Sequence, residues 1–305
     1  MEKITVAIVI IDYNGKNDTI ECVNSINRFL STDEEVLYDV FILDNGSFYA
    51  LRPEEITQTS LKITLLKSDV NLGFAGGNNY IIDYIKTNHL KYDYFFLLNN
   101  DTVLVDDSLH NLVLKSKERK FDITGVVNYY YSNPEEVWQA GDFFSSYSIK
   151  GKMVDGYEDN HGDFVQVDVI PGSSMLISSK VINEIGLFDE RFFAYYEEWD
   201  FCATAKEHSY KVAFLSNTKL LHKVGKSSPS RLKHYLRSRN TLLFYQKHNK
   251  NALIIAYLKI IARTLREEIK NGFKVDYFKP LLVGIKDYNR GEFYKGSIDK
   301  FFLKK

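Results

Sequence analysis

Three apolar runs that each stop at a cluster of carboxylates and amides constrain this chain more than any other feature. The first, Ile4-Thr5-Val6-Ala7-Ile8-Val9-Ile10-Ile11, stops at Asp12-Tyr13-Asn14-Gly15. The second, Val40-Phe41-Ile42-Leu43, stops at Asp44-Asn45-Gly46-Ser47. The third, Tyr94-Phe95-Phe96-Leu97-Leu98, stops at Asn99-Asn100-Asp101-Thr102. Short runs rich in β-branched and aromatic residues, without polar alternation, suit strands buried on both faces of a parallel sheet. The stretches between them carry helical spacing: Ile20, Val23, Ile26 and Leu30 after the first run, and Tyr80, Ile81, Tyr84 and Ile85 before the third. Ile63 to Leu66 adds a further strand. This alternation predicts an α/β protein with a mostly parallel sheet flanked by helices. In such sheets ligands bind at the carboxyl edge of the strands, where the polar clusters fall.

The second half changes character. Residues 122–127, 165–170 and 212–215 read as strands, and a helix is expected from near Glu197 to His208. Between them, 128–163 is rich in Tyr, Ser, Gly and Asp and reads as loops and short strands. From Leu232 onward the pattern is helical, with amphipathic stretches at 251–270 and 278–288. The expected organisation is one α/β domain over 1–245, with halves at about 1–105 and 106–245, and a helical C-terminal extension over 246–305. Residues 250–305 carry 13 Lys/Arg against 6 Asp/Glu, a net +7, so the remainder carries −8 of the overall −1. A bulk charge near zero gives no sign of a nucleic-acid partner. Cys22 and Cys202 are too few for a disulfide framework, form no Cys-x-x-Cys pair and fall in apparent helices, so buried free thiols are expected. The chain opens directly on a strand, and no run approaches the roughly 18 apolar residues that span a bilayer. The expected location is the cytoplasm. Contact with the inner face of the cell membrane is an open alternative, because the C-terminal stretch is basic and amphipathic.

The sequence contains neither G-x-G-x-x-G nor a Walker loop, which argues against a dehydrogenase or a P-loop NTPase. Asp44 at a strand end can accept the imide N–H of uracil or thymine, and Tyr13 can stack on the same base; each is equally readable as turn chemistry. The Asn71-Leu72-Gly73-Phe74-Ala75-Gly76-Gly77-Asn78-Asn79 stretch can bring backbone N–H groups to a diphosphate, or can simply open a helix. Asp101, held by a rigid strand, can take a divalent cation. Glu197, Glu198 and Asp200 bunch at a helix start beside Trp199, where carboxylates raise one another's pKa and make a competent base. A solvated acidic turn is the alternative; Phe192, Phe193, Tyr195 and Tyr196 just before it argue against solvent. His222 follows a short strand and can complete a metal site.

These stretches, together with Pro171-Gly172-Ser173-Ser174-Met175-Leu176-Ile177 and Gly186-Leu187-Phe188-Asp189-Glu190-Arg191-Phe192-Phe193, come in one order over residues 3 to 245. In that order they resemble family 2 glycosyltransferases of the GT-A fold, a Rossmann-like architecture, and most of all the rhamnosyltransferase-type members of bacterial surface-polysaccharide pathways. The resemblance implies donor binding by Ile11, Tyr13, Asn14, Asp44, Asn71, Gly73, Gly77, Asn78, Asn99 and Asn100. It implies Mg²⁺ or Mn²⁺ on Asp101 and His222, with Asn99 standing where the family carries the first acid of an Asp-x-Asp motif, so one anionic ligand is lost. It implies Glu198 as catalytic base, and Gly172, Ser173, Glu197 and Trp199 as acceptor contacts. The implied reaction is inverting transfer of a sugar from a dTDP- or UDP-sugar, dTDP-rhamnose among the candidates, to a hydroxyl of a glycan or polyprenyl-linked glycan. Two readings compete with it. One is a sugar nucleotidyltransferase, whose glycine-rich basic loop after the first strand is not what Asp12-Tyr13-Asn14-Gly15 offers. The other is a non-catalytic nucleotide-sugar-binding protein, motivated by Asn99.

Overall fold

The strand ends that carry the polar clusters lie in the parallel half of one sheet. β1 (Ile4–Asp12) pairs in parallel with β2 (Val36–Asn45) and with β4 (Tyr94–Asn99), and β2 with β3 (Lys62–Ser68). The structure is a computed structural model and describes residues 3–30, 35–56, 59–144, 163–224 and 230–302; residues 145–162, within the expected acceptor loops, lie outside the described residues. The sheet continues through β9 (Ser174–Ser178), β6 (Ile123–Tyr130), β10 (Val212–His222) and β5 (Thr102–Leu104), in the order β3-β2-β1-β4-β9-β6-β10-β5. β9 enters antiparallel to β4, so this second half is mixed. β7 (Asn133–Gln139) pairs with β6, and β8 (Phe164–Gln166) with β10.

Alternate residues of the central strands point to one face, as the pleat requires. Val6, Ile8 and Ile10 of β1, Val40 and Ile42 of β2, and Phe96 and Leu98 of β4 share a core there. α1 (Lys16–Leu30) supplies Cys22, Val23, Ile26 and Leu30, and α3 (Ser108–Arg119) supplies Leu109, Leu112 and Val113. Each such side chain contributes about 1.5–3 kcal/mol on full burial. α2 (Gly73–Thr87), α4 (Ser179–Ile185) and α5 (Glu197–Glu207) are further α-helices among the described residues. Cys22 and Cys202 are both buried thiols outside any disulfide, as the sequence predicts.

Two of the boundaries that differ from the sequence reading have a visible local cause. α1 begins at Lys16, ahead of Ile20 where its apolar spacing starts, because the Asp12 carboxylate accepts the Gly15 N–H at 2.9 Å and closes the turn. β10 runs past Leu215 to His222 through Ser216-Asn217-Thr218-Lys219. A register shift between Leu215 and Leu220 absorbs the polar residues. Thr218 bridges it, its hydroxyl donating to Leu215 O at 2.6 Å and accepting the Val127 N–H at 3.0 Å.

The chain forms two compact units. One comprises Met1–Leu72, Gly77–Phe188 and Phe201–Val224 and holds the sheet. The other comprises Gly73–Gly76, Asp189–Asp200 and Gly225–Lys305, with α6 (Ser230–His248), α7 (Leu253–Lys270) and α8 (Phe278–Arg290). Its core joins Phe193, Leu232, Tyr235, Leu236 and Ile298. α8 approaches α6 closely at Gly284, where a Cβ would lie 2.9 Å from Tyr235 O. No helix among the described residues is long and apolar enough to cross a membrane.

Candidate functional site

Parallel register aligns Asp12 with Asp44 and Ile11 with Asn99, so the three strand ends finish level. In the sequence Asp12 reads as a turn residue; the structure makes it a second buried carboxylate of this edge. Its Oδ1 accepts from Gly15 N–H at 2.9 Å and from Asn100 Nδ2 at 3.3 Å. Burial pushes its pKa up, against the hydrogen bonds from Gly15 and Thr19, and the charges of Asp44 and Asp18 add to the rise. Asp44 accepts the Ser47 N–H on Oδ1 at 3.0 Å. Oδ2 of each carboxylate is buried with no hydrogen-bond partner among the described residues. Such an atom costs about 1–3 kcal/mol, which a donor on a ligand would recover. Tyr13 is exposed on the turn beside them. Asn14, at φ 57°, ties that turn to the next strand end: its N–H donates to Ser47 Oγ at 2.8 Å and its Oδ1 accepts the Phe48 N–H at 2.9 Å.

Asn71, Leu72 and Gly77 of the glycine-rich stretch sit against the same edge. Asn45 accepts the Leu72 N–H at 2.9 Å and donates to Asn71 Oδ1 at 3.3 Å. A Cβ on Gly77 would meet Ile11 at 3.3 Å, so a bare backbone is needed for α2 to approach β1. Asn78 is buried. In the second unit, Gly73 at φ +76° lies against Phe193, whose carbonyl accepts the Ala75 N–H at 3.0 Å. Asn100 acts as a strut, its Nδ2 donating to Thr19 Oγ1 at 2.9 Å as well as to Asp12. Asn99 is half-buried, and its N–H donates to Ser173 O at 3.0 Å. Ser173 is buried and its Oγ has no partner among the described residues; Gly172 beside it is half-buried.

At the far end of the edge, β10 pairs antiparallel with β5, and His222 falls opposite Thr102. The Lys223 N–H donates to Asp101 O at 2.9 Å. His222 Nε2 then lies 3.1 Å from Asp101 Oδ1, with both side chains buried and the Trp138 ring edge-on to the imidazole at 4.4 Å. In an octahedral site with ligands at about 2.1 Å, adjacent ligand atoms stand about 3.0 Å apart. The two donors therefore fit one edge of a Mg²⁺ or Mn²⁺ coordination shell. No group of three His, Cys, Asp or Glu that could hold a metal occurs among the described residues. The remaining positions would fall to water and phosphate oxygens, as is usual for Mg²⁺.

The acidic cluster opens α5 in the second unit. Asp200 is buried and fully engaged, accepting from Lys247 Nζ at 2.7 Å and His248 Nε2 at 2.8 Å. Glu197 and Glu198 remain as a pair. Burial, and next the charge of Glu198, hold the Glu197 carboxyl well above the ordinary carboxylate range, and a hydrogen bond to Glu198 keeps the proton on Glu197. Glu198 is half-buried, and Trp199 is buried against Tyr196 with ring centroids 6.4 Å apart. The approach to this pair is strained. Phe193, Tyr195 and Tyr196 have φ of 65°, 68° and 79°, a region that costs an L residue about 1–3 kcal/mol.

The sequence profile described as Glycosyl transferase family 2 matches residues 7–186, more than half of the chain. The chain belongs to that family, and the sheet with its flanking helices is the GT-A fold. It is similar to a low-salt glycan biosynthesis hexosyltransferase, Agl10, of Haloferax volcanii, 27% identical over 214 residues. That match covers 68% of this chain and spans 63% of the relative's length. Among solved structures it resembles the mannosyltransferase PcManGT of Pyrobaculum calidifontis, determined with GDP-Man and Mn²⁺, at TM-score 0.60 and 12% identity over 96% of this chain and 89% of that one. It also resembles GalNAc-T7, determined with UDP, GalNAc and Mn²⁺, at TM-score 0.60 and 14% identity over 81% of this chain and 55% of that one. S. aureus TarS matches at TM-score 0.56 and 14% identity, over 94% and 49%.

Proposed function

We propose that the chain transfers a sugar, with inversion, from a dTDP- or UDP-sugar to a hydroxyl of a glycan or lipid-linked glycan in surface-polysaccharide synthesis. The observation that carries this reading is the Asp101–His222 pair, two buried donors 3.1 Å apart at the carboxyl edge of the sheet. Asp44, with a buried oxygen awaiting a donor, takes the imide N–H of the base, and Tyr13 stacks on it. Ile11, Asn14, Asn71, Gly73, Gly77, Asn78, Asn99 and Asn100 bind the donor. Asp101 and His222 would hold Mg²⁺ or Mn²⁺, which when bound neutralises charge on the departing diphosphate. Glu198 removes the proton from the acceptor hydroxyl as its oxygen bonds to the anomeric carbon and the bond to the diphosphate breaks. Glu197, Trp199, Gly172 and Ser173 contact the acceptor.

The test is thermal stabilisation by dTDP-rhamnose, other dTDP- and UDP-sugars and GDP-mannose, each with and without Mn²⁺, followed by nucleotide-release assays. A ligand at a hundred times its Kd stabilises by about 2.7 kcal/mol. One stacking face and one carboxylate acceptor should select pyrimidines, so UDP and dTDP are expected to compete against the donor far better than GDP. Equal competition by GDP would remove Asp44 from base recognition. Release of pyrophosphate would make the protein a nucleotidyltransferase, and binding without turnover would leave a binding protein.

The same reading includes a membrane surface, where polyprenyl-linked acceptors reside. Ile254, Leu258, Ile261, Leu265 and Ile269 form one exposed face of α7, with Arg266 and Lys270 exposed beside it. The opposite face, Ala256, Ile260, Thr264 and Glu268, is buried. An exposed apolar stripe with a basic flank suits an anionic headgroup layer. The full chain is expected to co-sediment with anionic vesicles at low salt. Leu258→Ser with Leu265→Ser should weaken this at least about tenfold, since each leucine contributes about 1.5–3 kcal/mol when buried. Indifference of the full chain to anionic vesicles would end the proposal.

A further inference from the structure

The strained segment before Glu197 is held by two consecutive residues of α6, Arg239 and Asn240. Phe193 sits at φ 65°, ψ −62°, and the Ala194 N–H donates to Phe192 O at 2.8 Å, which makes a γ-turn of the rare, strained kind. Asn240 Nδ2 donates to three carbonyls around it: Phe192 O at 2.8 Å, Ala194 O at 2.9 Å and Tyr195 O at 2.7 Å. Arg239 extends the grip, with Nη2 donating to Arg191 O at 3.2 Å and Phe192 O at 3.0 Å. Its Nε donates to Asn240 Oδ1 at 2.9 Å and so orients the amide. Strained backbone persists only where its surroundings over-determine it, and these bonds do so for the residues that lead into α5.

Arg239 is fully buried, and burial lowers its pKa. Its compensation comes from the C-terminal helices. Nη1 donates to Tyr294 O at 2.9 Å and makes a long contact of 3.4 Å with the Tyr235 hydroxyl, which donates to Asp287 of α8 at 2.6 Å. Asp287 is buried and also accepts the Ser297 N–H at 3.0 Å. No side chain fits between: a Cβ on Gly296 would lie 2.5 Å from the Tyr235 hydroxyl and 2.8 Å from Arg239 Nη1.

We infer that Arg239 and Asn240 are positioning residues for the Glu197–Glu198 pair, with Asp287 of α8 as the buried counter-charge that lets them work. This rests on Glu198 acting as the base. The bonds from Asn240 Nδ2 and Arg239 Nη2 all go to the loop backbone, so they fix where the loop runs rather than contact reactants. They also keep Glu197 buried, which is the first cause of its raised pKa. A loosened clamp therefore has two linked effects: the base loses its aim, and water reaches Glu197.

The experiment compares full-length wild type, Asn240→Ala and Arg239→Lys below their melting temperatures, measuring kcat against pH and donor affinity by titration. Misplacement of a reacting group by about 1 Å costs on the order of a hundredfold in rate. Asn240→Ala is expected to lose about that in kcat with donor affinity unchanged. The acid limb of its kcat profile should move to higher pH, because that limb reports protonation of the base, and a hydrated Glu197 both withdraws its hydrogen bond from Glu198 and, once ionised, sets a like charge beside it. Arg239→Lys keeps the buried charge, forms fewer of the carbonyl bonds, and should shift the limb in the same direction by less; it carries the test alone if Asn240→Ala does not fold. Wild-type kcat and limb in both variants overturn the inference, and so does a fall in kcat that tracks the folded fraction with the limb unmoved. Glu198→Gln run alongside separates the two claims. If it keeps turnover, the base assignment fails; if it is silent while the clamp variants behave as wild type, only the clamp fails.

Discussion

Glu198→Gln is expected to lose at least about 10²–10⁴-fold in turnover, the range general-base catalysis supplies, while donor affinity stays near that of wild type. The substitution keeps the side chain's length and shape and removes its proton acceptor. Glu197 is a poor replacement, because burial favours its protonated form even without the Glu198 charge. Asp200 does not either, since both its oxygens are engaged by Lys247 and His248. Turnover of the nucleotide-sugar donor under saturating acceptor is the measurement. Near-normal activity would remove Glu198 from the mechanism.

Asp101→Ala is expected to weaken binding of the nucleotide diphosphate in Mn²⁺ and to make what remains insensitive to EDTA. Asn99 is uncharged, so Asp101 is the anionic member of this strand end and of the Asp101–His222 pair, and hard cations depend on charged oxygen ligands. His222→Ala should keep part of the metal response, because the carboxylate remains. The readout is the donor binding constant with Mn²⁺ and with EDTA. Wild-type binding and turnover that survive EDTA unchanged would end the metal assignment.

The fold was legible where burial is uniform. β1 and β4 are unbroken apolar runs because both of their faces are covered, and their ends could be placed to a residue or two; β2 starts at Val36, ahead of the Val40–Leu43 run that marks it, because Asp39 interrupts the apolar pattern. β10 was not, because Ser216-Asn217-Thr218-Lys219 breaks the apolar pattern and only the Thr218 hydroxyl, bonded on both sides of the shift, keeps the strand going. The level alignment of Asp12 with Asp44 is a matter of register, which no local pattern states. Arg239 and Asn240 were illegible for a further reason. α6 buries His234, Ser238, Arg239, Asn240 and Thr241 together with its leucines, so it shows no apolar stripe to read. The carbonyls that Asn240 binds lie some forty-five residues earlier in the chain. Polar groups buried by long-range partners leave no trace in periodicity.

The Arg239–Tyr235–Asp287 chain bears on how the protein can be cut. A fragment ending near residue 249 retains every residue assigned to chemistry and loses α8, and with it the carboxylate that lets a guanidinium remain out of water. Removing one partner of a buried charged network typically costs about 3–5 kcal/mol. Such a fragment should purify as a protein that still contains its sheet and strand-end carboxylates yet melts its γ-turn. Its silence would then report a lost counter-ion, not a missing membrane anchor. Point changes on the outer face of α7 leave that network whole, which makes the surface of the extension separable from its interior by mutation but not by truncation.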